Sequence, residues 1–212
     1  MYRLHCFPES GNSYKIALML ALCGQPFETM WTDFGAGVTR TPEWRAEVNE
    51  MGEIPVLEAD GERLSQTAVI LTKLAEWHGR FGGSEPRDRD EILRWLFWDN
   101  HKFSSYAATY RFLRTFTENP EPHVLEFLRK RVESGLRILD RRLGERRFTI
   151  GDAPTIADIS IAAYLSYPNE ETGFDLPATH PVLQSWLDRI AALPGWRAPY
   201  ELLPGKRLVS YI

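Results

Sequence analysis

An α/β half followed by an all-α half is the fold class the sequence predicts, with a boundary near residue 80. Three observations predict it. Up to His78 short segments rich in β-formers alternate with two dense apolar runs of helical length. Arg80 to Arg87, containing Gly82, Gly83 and Pro86, reads as a linker. Beyond it apolar residues recur only at helical spacing and no strand pattern returns. The expected domains are 1–80 and 87–212.

Composition narrows the function classes. In 212 residues 43% are apolar and 25% charged, ordinary for a soluble globular protein. A formal net charge of -4 gives no footprint for nucleic acid or an anionic membrane, so neither is expected as a partner. Arg137 to Arg147 is the one locally basic stretch, read as a solvated helix face. Cys6 and Cys23 form no CxxC, so neither a disulfide framework nor a dithiol redox motif is expected, and a reducing, cytoplasmic compartment fits. No second histidine stands at ligand spacing from His101, so no metal is expected. The N-terminus lacks a signal-peptide core and no apolar run is long enough for a membrane span.

In order along the chain, Met1 to Phe7 reads as a strand and Pro8 to Asn12 as a loop. Ser13 to Cys23 reads as a helix apolar on nearly every face, stopped by Gly24. Phe27 to Asp33 is a second strand and Phe34 to Thr39 a glycine-rich loop. Thr41-Pro42 opens a short helix ending near Asn49. Ile54, Val56 and Leu57 begin a third strand, in which Pro55 requires an edge position or a cis bond. Asp60-Gly61 signals a hairpin, and Ser65-Gln66-Thr67 opens a helix running to His78-Gly79. A βαβ unit followed by ββα is a thioredoxin-like arrangement.

Two places in this half carry chemistry. Ser10 and Asn12 stand where the first helix begins, so a thiol brought there meets a hydroxyl, an amide and the positive helix end, all favouring its anion. Either residue also serves as an ordinary helix cap. Gln66 and Thr67 stand at another helix start, whose free N–H groups suit a carboxylate.

The second half reads as helices around Ile92 to Tyr110, from Pro122 to Gly144, from Thr155 to Leu165, and around Pro181 to Ile190. Thr155-Ile156-Ala157-Asp158 is a capping box with Asp158 reaching back to the Thr155 N–H. Trp98, His101 and Tyr106 belong to an aromatic cluster that lines either a core or an apolar cosubstrate pocket. The tail to Ile212 is expected to fold over the site.

These residues resemble the cytosolic glutathione transferase family. The resemblance rests on Ile54-Pro55-Val56-Leu57 with its turn and Gln66-Thr67, on Gly151-Asp152 leading into Pro154-Thr155-Ile156-Ala157-Asp158, and on the loop at Ser10. That loop, Ser10-Gly11-Asn12-Ser13-Tyr14-Lys15-Ile16, is similar both to serine-type transferases and to the Thr-Pro-Asn-x-x-Lys-Ile of bacterial nu-class transferases with disulfide-bond reductase activity. The resemblance implies a cis Pro55, an Ile54 main chain pairing with the cysteinyl part of glutathione, and Gln66 and Thr67 holding its γ-glutamyl end. Ser10 and Asn12 would then stabilise the thiolate. Two departures stand out. Gln-Thr replaces the commoner Glu-Ser, and Glu53 replaces the lysine or glutamine near the glycine carboxylate, leaving Arg40 as the substitute. Implied with these are glutathione as cosubstrate, a small electrophile or disulfide as second substrate, and a homodimer. The alternatives are glutathione-dependent disulfide reduction and a non-catalytic binding or regulatory role, for which Glu53 speaks.

Overall fold

The computed structural model describes residues 1–212. Its chain divides into two compact units. The first joins Met1–His78 to Pro194–Leu208, and the second joins Gly79–Leu193 to Val209–Ile212. The C-terminal segment that belongs with the first unit has no counterpart in the 1–80 and 87–212 division drawn from the sequence.

In the first unit β1 (Tyr2–Cys6), α1 (Gly11–Leu22) and β2 (Phe27–Trp31) form the parallel crossover. After α2 (Pro42–Glu47) come β3 (Val56–Ala59), β4 (Glu62–Ser65) and α3 (Thr67–His78). The sheet order is β2-β1-β3-β4, with β1 and β3 antiparallel. A parallel pair needs a long connection, and α1 supplies it. Its Ile16 to Leu20 are wholly buried, as expected for a helix apolar on every face. Asp60 and Gly61 have φ of 50° and 85°, the left-handed pair that lets a two-residue hairpin follow the strand twist. The Ile54-Pro55 bond is cis, and Pro55 precedes a central strand, not an edge strand.

Register decides what the unit can do. His5 lies opposite Val56, and Val56 opposite Ser65. Cys6 lies opposite Trp31. The carboxyl ends of β1, β2 and β4 and the amino end of β3 therefore share one edge of the sheet. Every connection of this unit that bears an expected site residue meets that edge.

The returning C-terminal segment packs on the same unit. Tyr14 Oη donates to the Arg197 carbonyl at 2.8 Å. Gly195, at φ 91°, lies so close that an added Cβ would be 2.4 Å from the Ala21 carbonyl oxygen. Further on, Arg207 Nε and the Leu208 N–H both donate to Glu9 Oε1, at 2.6 and 3.1 Å. The tail is thus fastened to the loop one residue before Ser10.

The second unit is helical: α4 (Pro86–Trp98), α5 (Ser105–Phe116), α6 (Pro122–Gly144), α7 (Ile156–Leu165), the short α8 (Asn169–Thr172) and α9 (Leu176–Thr179), and α10 (Pro181–Ala191). The remaining α11 (Pro199–Leu202) falls in the first unit. The spacing around Ile92 to Tyr110 predicts a helix, and the chain breaks it with a π-helical turn over Asp99–Ser104. There the buried Asp99 accepts from Ser104 Oγ at 2.7 Å and Ser160 Oγ at 2.6 Å, tying the turn to α7. Gly135 of α6 admits the Phe103 ring, which would lie 2.5 Å from an added Cβ.

α7 is buried along its whole length, and Asp158 organises its start. Its carboxylate accepts from the Thr149 N–H at 2.8 Å, the Thr155 N–H at 2.9 Å and hydroxyl at 3.1 Å, and the Trp186 indole at 3.0 Å. Burial raises the Asp158 pKa, against the pull of these donors. Asp158→Ala strands two main-chain donors and an indole in the core. At about 1 to 3 kcal/mol for each buried donor, it is expected to lower stability by at least about 3 kcal/mol in urea unfolding. A loss below about 1 kcal/mol would show that the network does not hold the unit together.

Candidate functional site

Ser10 opens α1 with extended backbone (φ -79°, ψ 103°), and its Oγ accepts the Ser13 N–H at 3.0 Å. It is 5% exposed. A hydroxyl accepts through its lone pairs and donates through its single hydrogen. Capping the helix therefore leaves the Ser10 O–H available to a ligand, and the two roles weighed from sequence are compatible. Asn12, in the first turn of α1, is half-buried, and its Oδ1 has no partner within the chain. The chain's own nearby thiol is no rival nucleophile: burial pushes Cys6 up to about 12.

Across the edge, Ile54 lies beyond the last ladder pair of β3, so its main chain is outside the sheet's pairing. The segment before it is held by a residue that the sequence reading passed over. Asn49 is buried, donates through Nδ2 to the Glu53 carbonyl at 3.0 Å and accepts the Met51 N–H at 3.1 Å. An Asn-x-Met-Gly turn is the only local signal that could have found it. Glu53 in turn accepts from Gln66 Nε2 at 2.9 Å, with Met51 Sδ 3.3 Å from the same nitrogen. Two of the expected ligand-holding residues therefore meet directly.

Gln66 occupies the left-handed region at φ 67°, unusual for a residue with a Cβ. Thr67, the first residue of α3, is buried. No acidic side chain occupies the first turn of α3, so its free N–H groups face no built-in anion. Arg40 ends a short 3-10 turn in the connection after β2, exposed and without a side-chain partner.

The other three expected residues stand in the second unit. Trp98 packs edge-on to Trp95 at 5.2 Å between ring centroids and stacks on Phe103 at 5.7 Å. His101 is exposed in the π-helical turn. Tyr106 is half-buried, with the Arg131 guanidinium 5.8 Å from its ring centroid. No hydrogen bond or ring contact joins the three to one another.

In the first unit, then, one sheet edge offers unpaired main chain, two helix N-termini and a hydroxyl donor. That set suits an extended, peptide-like anion, and the mixed four-stranded first unit with a helical second unit defines a thioredoxin-like plus all-helical fold. The comparisons agree. The sequence model of "Glutathione S-transferase, N-terminal domain" matches residues 9–77, and that of "Glutathione S-transferase, C-terminal domain" matches residues 122–189. The structure resembles a glutathione S-transferase from Pseudomonas fluorescens at 34% identity, covering 93% of this chain and 98% of that one, with a TM-score of 0.85. Among sequence relatives, a maleylacetoacetate isomerase of Rhizobium meliloti is 30% identical over 74% of this chain and 77% of its own length. A disulfide-bond oxidoreductase of Escherichia coli, YfcG, is 27% identical over 89% of each. The chain belongs to the glutathione S-transferase family.

The backbone at Gln66 gives a test independent of any ligand. A left-handed residue with a Cβ costs about 1 to 2 kcal/mol. Gln66→Gly and Gln66→Ala both lose the bond to Glu53, and only the glycine relieves the backbone. Thermal unfolding is expected to rank glycine above alanine by about 1 kcal/mol. The reverse order would mean that the φ is not strained in solution.

Proposed function

We propose that the chain binds glutathione along this sheet edge and lowers the pKa of its thiol for attack on a second, small substrate. The observation that carries the reading is the register His5–Val56–Ser65, which brings the loop at Ser10, the free main chain at Ile54 and the start of α3 to one edge. In this reading Ile54 pairs with the cysteinyl residue, while Gln66 and Thr67 take the γ-glutamyl end at the α3 N-terminus. Glu53, turned by Gln66, accepts from a ligand amide, and the unpartnered Arg40 takes the glycine carboxylate.

The thiol chemistry falls to Ser10 and Asn12. An unperturbed thiol ionises near 8.5 and must drop by about one to two units to be mostly anionic at neutral pH, roughly 1.4 kcal/mol for each unit. A hydrogen bond to an anion supplies about 1.5 to 3 kcal/mol, so one or two donors suffice. The thiolate then attacks an electrophile held beside it, and the rate gain comes from proximity and from the larger thiolate fraction. Small-electrophile conjugation is the first activity in this reading. Glutathione-dependent disulfide reduction is the second, favoured by the Ser-Gly-Asn loop and by likeness to the Escherichia coli disulfide-bond oxidoreductase.

Calorimetric titration with glutathione in buffers of different ionisation heat checks the reading. A bound thiol with a lowered pKa releases a proton on binding between its new pKa and about 8.5, and little at pH values well outside that window. Ser10→Ala and Asn12→Ala are each expected to narrow the window, and the double change to close it. No binding at millimolar glutathione would overturn both enzymatic readings and turn attention to a non-catalytic binding role. Binding with an unchanged window in all three variants would remove Ser10 and Asn12 from the thiol.

A cytosolic homodimer completes the proposal. The free cysteines suit a reducing compartment, and Phe97 and Leu93 of α4 stand 73% and 45% exposed, apolar surface that a second copy would cover. Light scattering at micromolar concentration that returned a monomer mass would remove the dimer.

A further inference from the structure

Part of the basic run that the sequence singled out lines a groove in the second unit. A cavity of about 450 Å³ lies between the start of α4 and the end of α6, floored by Ile150 and Gly151. Arg87 and Arg94 reach it from α4, Arg142 and Arg146 from α6 and its end. Only Asp88 and Glu91 line it as acids, and both are engaged. Asp88 Oδ2 accepts the Ser84 and Glu85 N–H groups at 2.8 and 2.9 Å. Glu91 holds Arg94 through both carboxylate oxygens, at 3.0 and 2.7 Å, and also faces Arg142 at 3.4 Å. Arg87 and Arg146 are exposed and make no direct ion pair, although their charges are felt by Asp88 and Glu91 respectively.

This is an unusual local balance for a chain of net charge -4. The Arg142 side chain is 22% exposed and fixed by its Nε bond to the Thr149 carbonyl at 2.9 Å, so it cannot swing away from its neighbours. Burial and the charges of Arg146 and Arg94 depress its pKa, while Glu91 only partly offsets them. An added Cβ on Gly151 would meet nothing, so the groove is open above it. A second cavity of about 410 Å³ shares Arg146 and Gly151 and is lined further by Arg147 and Arg189 and by the acids Glu145 and Asp152.

We propose that this groove is a binding site for a small phosphate-bearing anion. Guanidinium groups arriving from two helices suit a tetrahedral oxyanion that accepts from several directions, and the planar fork matches phosphate oxygens in pairs. The cavity is of small-molecule size, larger than one phosphate group needs, so a phosphorylated metabolite with an organic body fits better than the free ion.

Inorganic pyrophosphate is the first probe, titrated calorimetrically at ionic strength held constant with potassium chloride. Saturable one-to-one binding with a dissociation constant below about 1 mM is expected. Arg87→Gln and Arg146→Gln, chosen because neither side chain is tied into the fold, should each weaken it about fivefold and together at least about twentyfold. The unfolding temperature of these variants should match the parent, which separates lost binding from lost structure. An AMP titration separates the sources: tighter binding than orthophosphate supports a phosphorylated metabolite, and orthophosphate binding as tightly or more tightly overturns that part. Absence of saturable pyrophosphate binding at 10-fold above that limit, or binding that survives the double variant, overturns the site.

Discussion

The antiparallel pairing of β1 with β3 is the constraint on which the rest of the candidate site depends. It places His5 against Val56, and through the β3–β4 hairpin it places Ser65 in the same row. A slip of one residue would move Glu58, which pairs with Arg3 and His5, into a place that buried Leu57 or Ala59 now fills. It would also carry Ile54 and Gln66 out of line with the loop at Ser10. Hydrophobic burial thus enforces a register that the polar site residues could not enforce themselves.

Within that frame the polar groups of the candidate site hold the local backbone while leaving hydrogen-bonding capacity unspent. The Ser10 oxygen caps α1 through a lone pair and keeps its hydrogen. Asn49 spends its side chain on the Met51 N–H and the Glu53 carbonyl, shaping the turn before Ile54. Gln66 is held in a costly backbone conformation at the point where β4 becomes α3, with its side chain on Glu53. The C-terminal segment adds a fastening from the far end of the chain, through Glu9, to the same loop.

The second unit solves a different problem. α7 is apolar on every side and needs neighbours all round, yet its N-terminus exposes main-chain donors that hydrocarbon cannot satisfy. Asp158 satisfies the Thr155 donor, and it reaches Thr149 and Trp186 as well, so a helix cap doubles as a junction between α7, the preceding loop and α10. Asp99 plays a comparable part in the π-helical turn, through Ser160. No helix is long and apolar enough to cross a membrane.

Local sequence was enough for what local physics controls. Residue type and periodicity gave β1 to β3 and most of the long helices, with α4 and α5 read as one, Asp60-Gly61 gave the hairpin, the Thr155 to Asp158 spacing the capping box, and Pro55 the cis alternative, because each depends on a few neighbouring residues. It also placed Ser10, Asn12, Gln66 and Thr67 at helix starts from residue type, while the part expected of Ile54 came from the family resemblance. What it left open was non-local. The Glu53–Gln66 bond, the tail fastened to Glu9 and the arginine groove all join residues whose approach depends on how buried surfaces pack. The break at Asp99 belongs with them, because a buried carboxylate bonded to Ser160, sixty-one residues away, outweighs a helical repeat that reads as continuous. Only the tertiary structure decides such contacts, since burial rewards the whole arrangement and no single segment carries its signature.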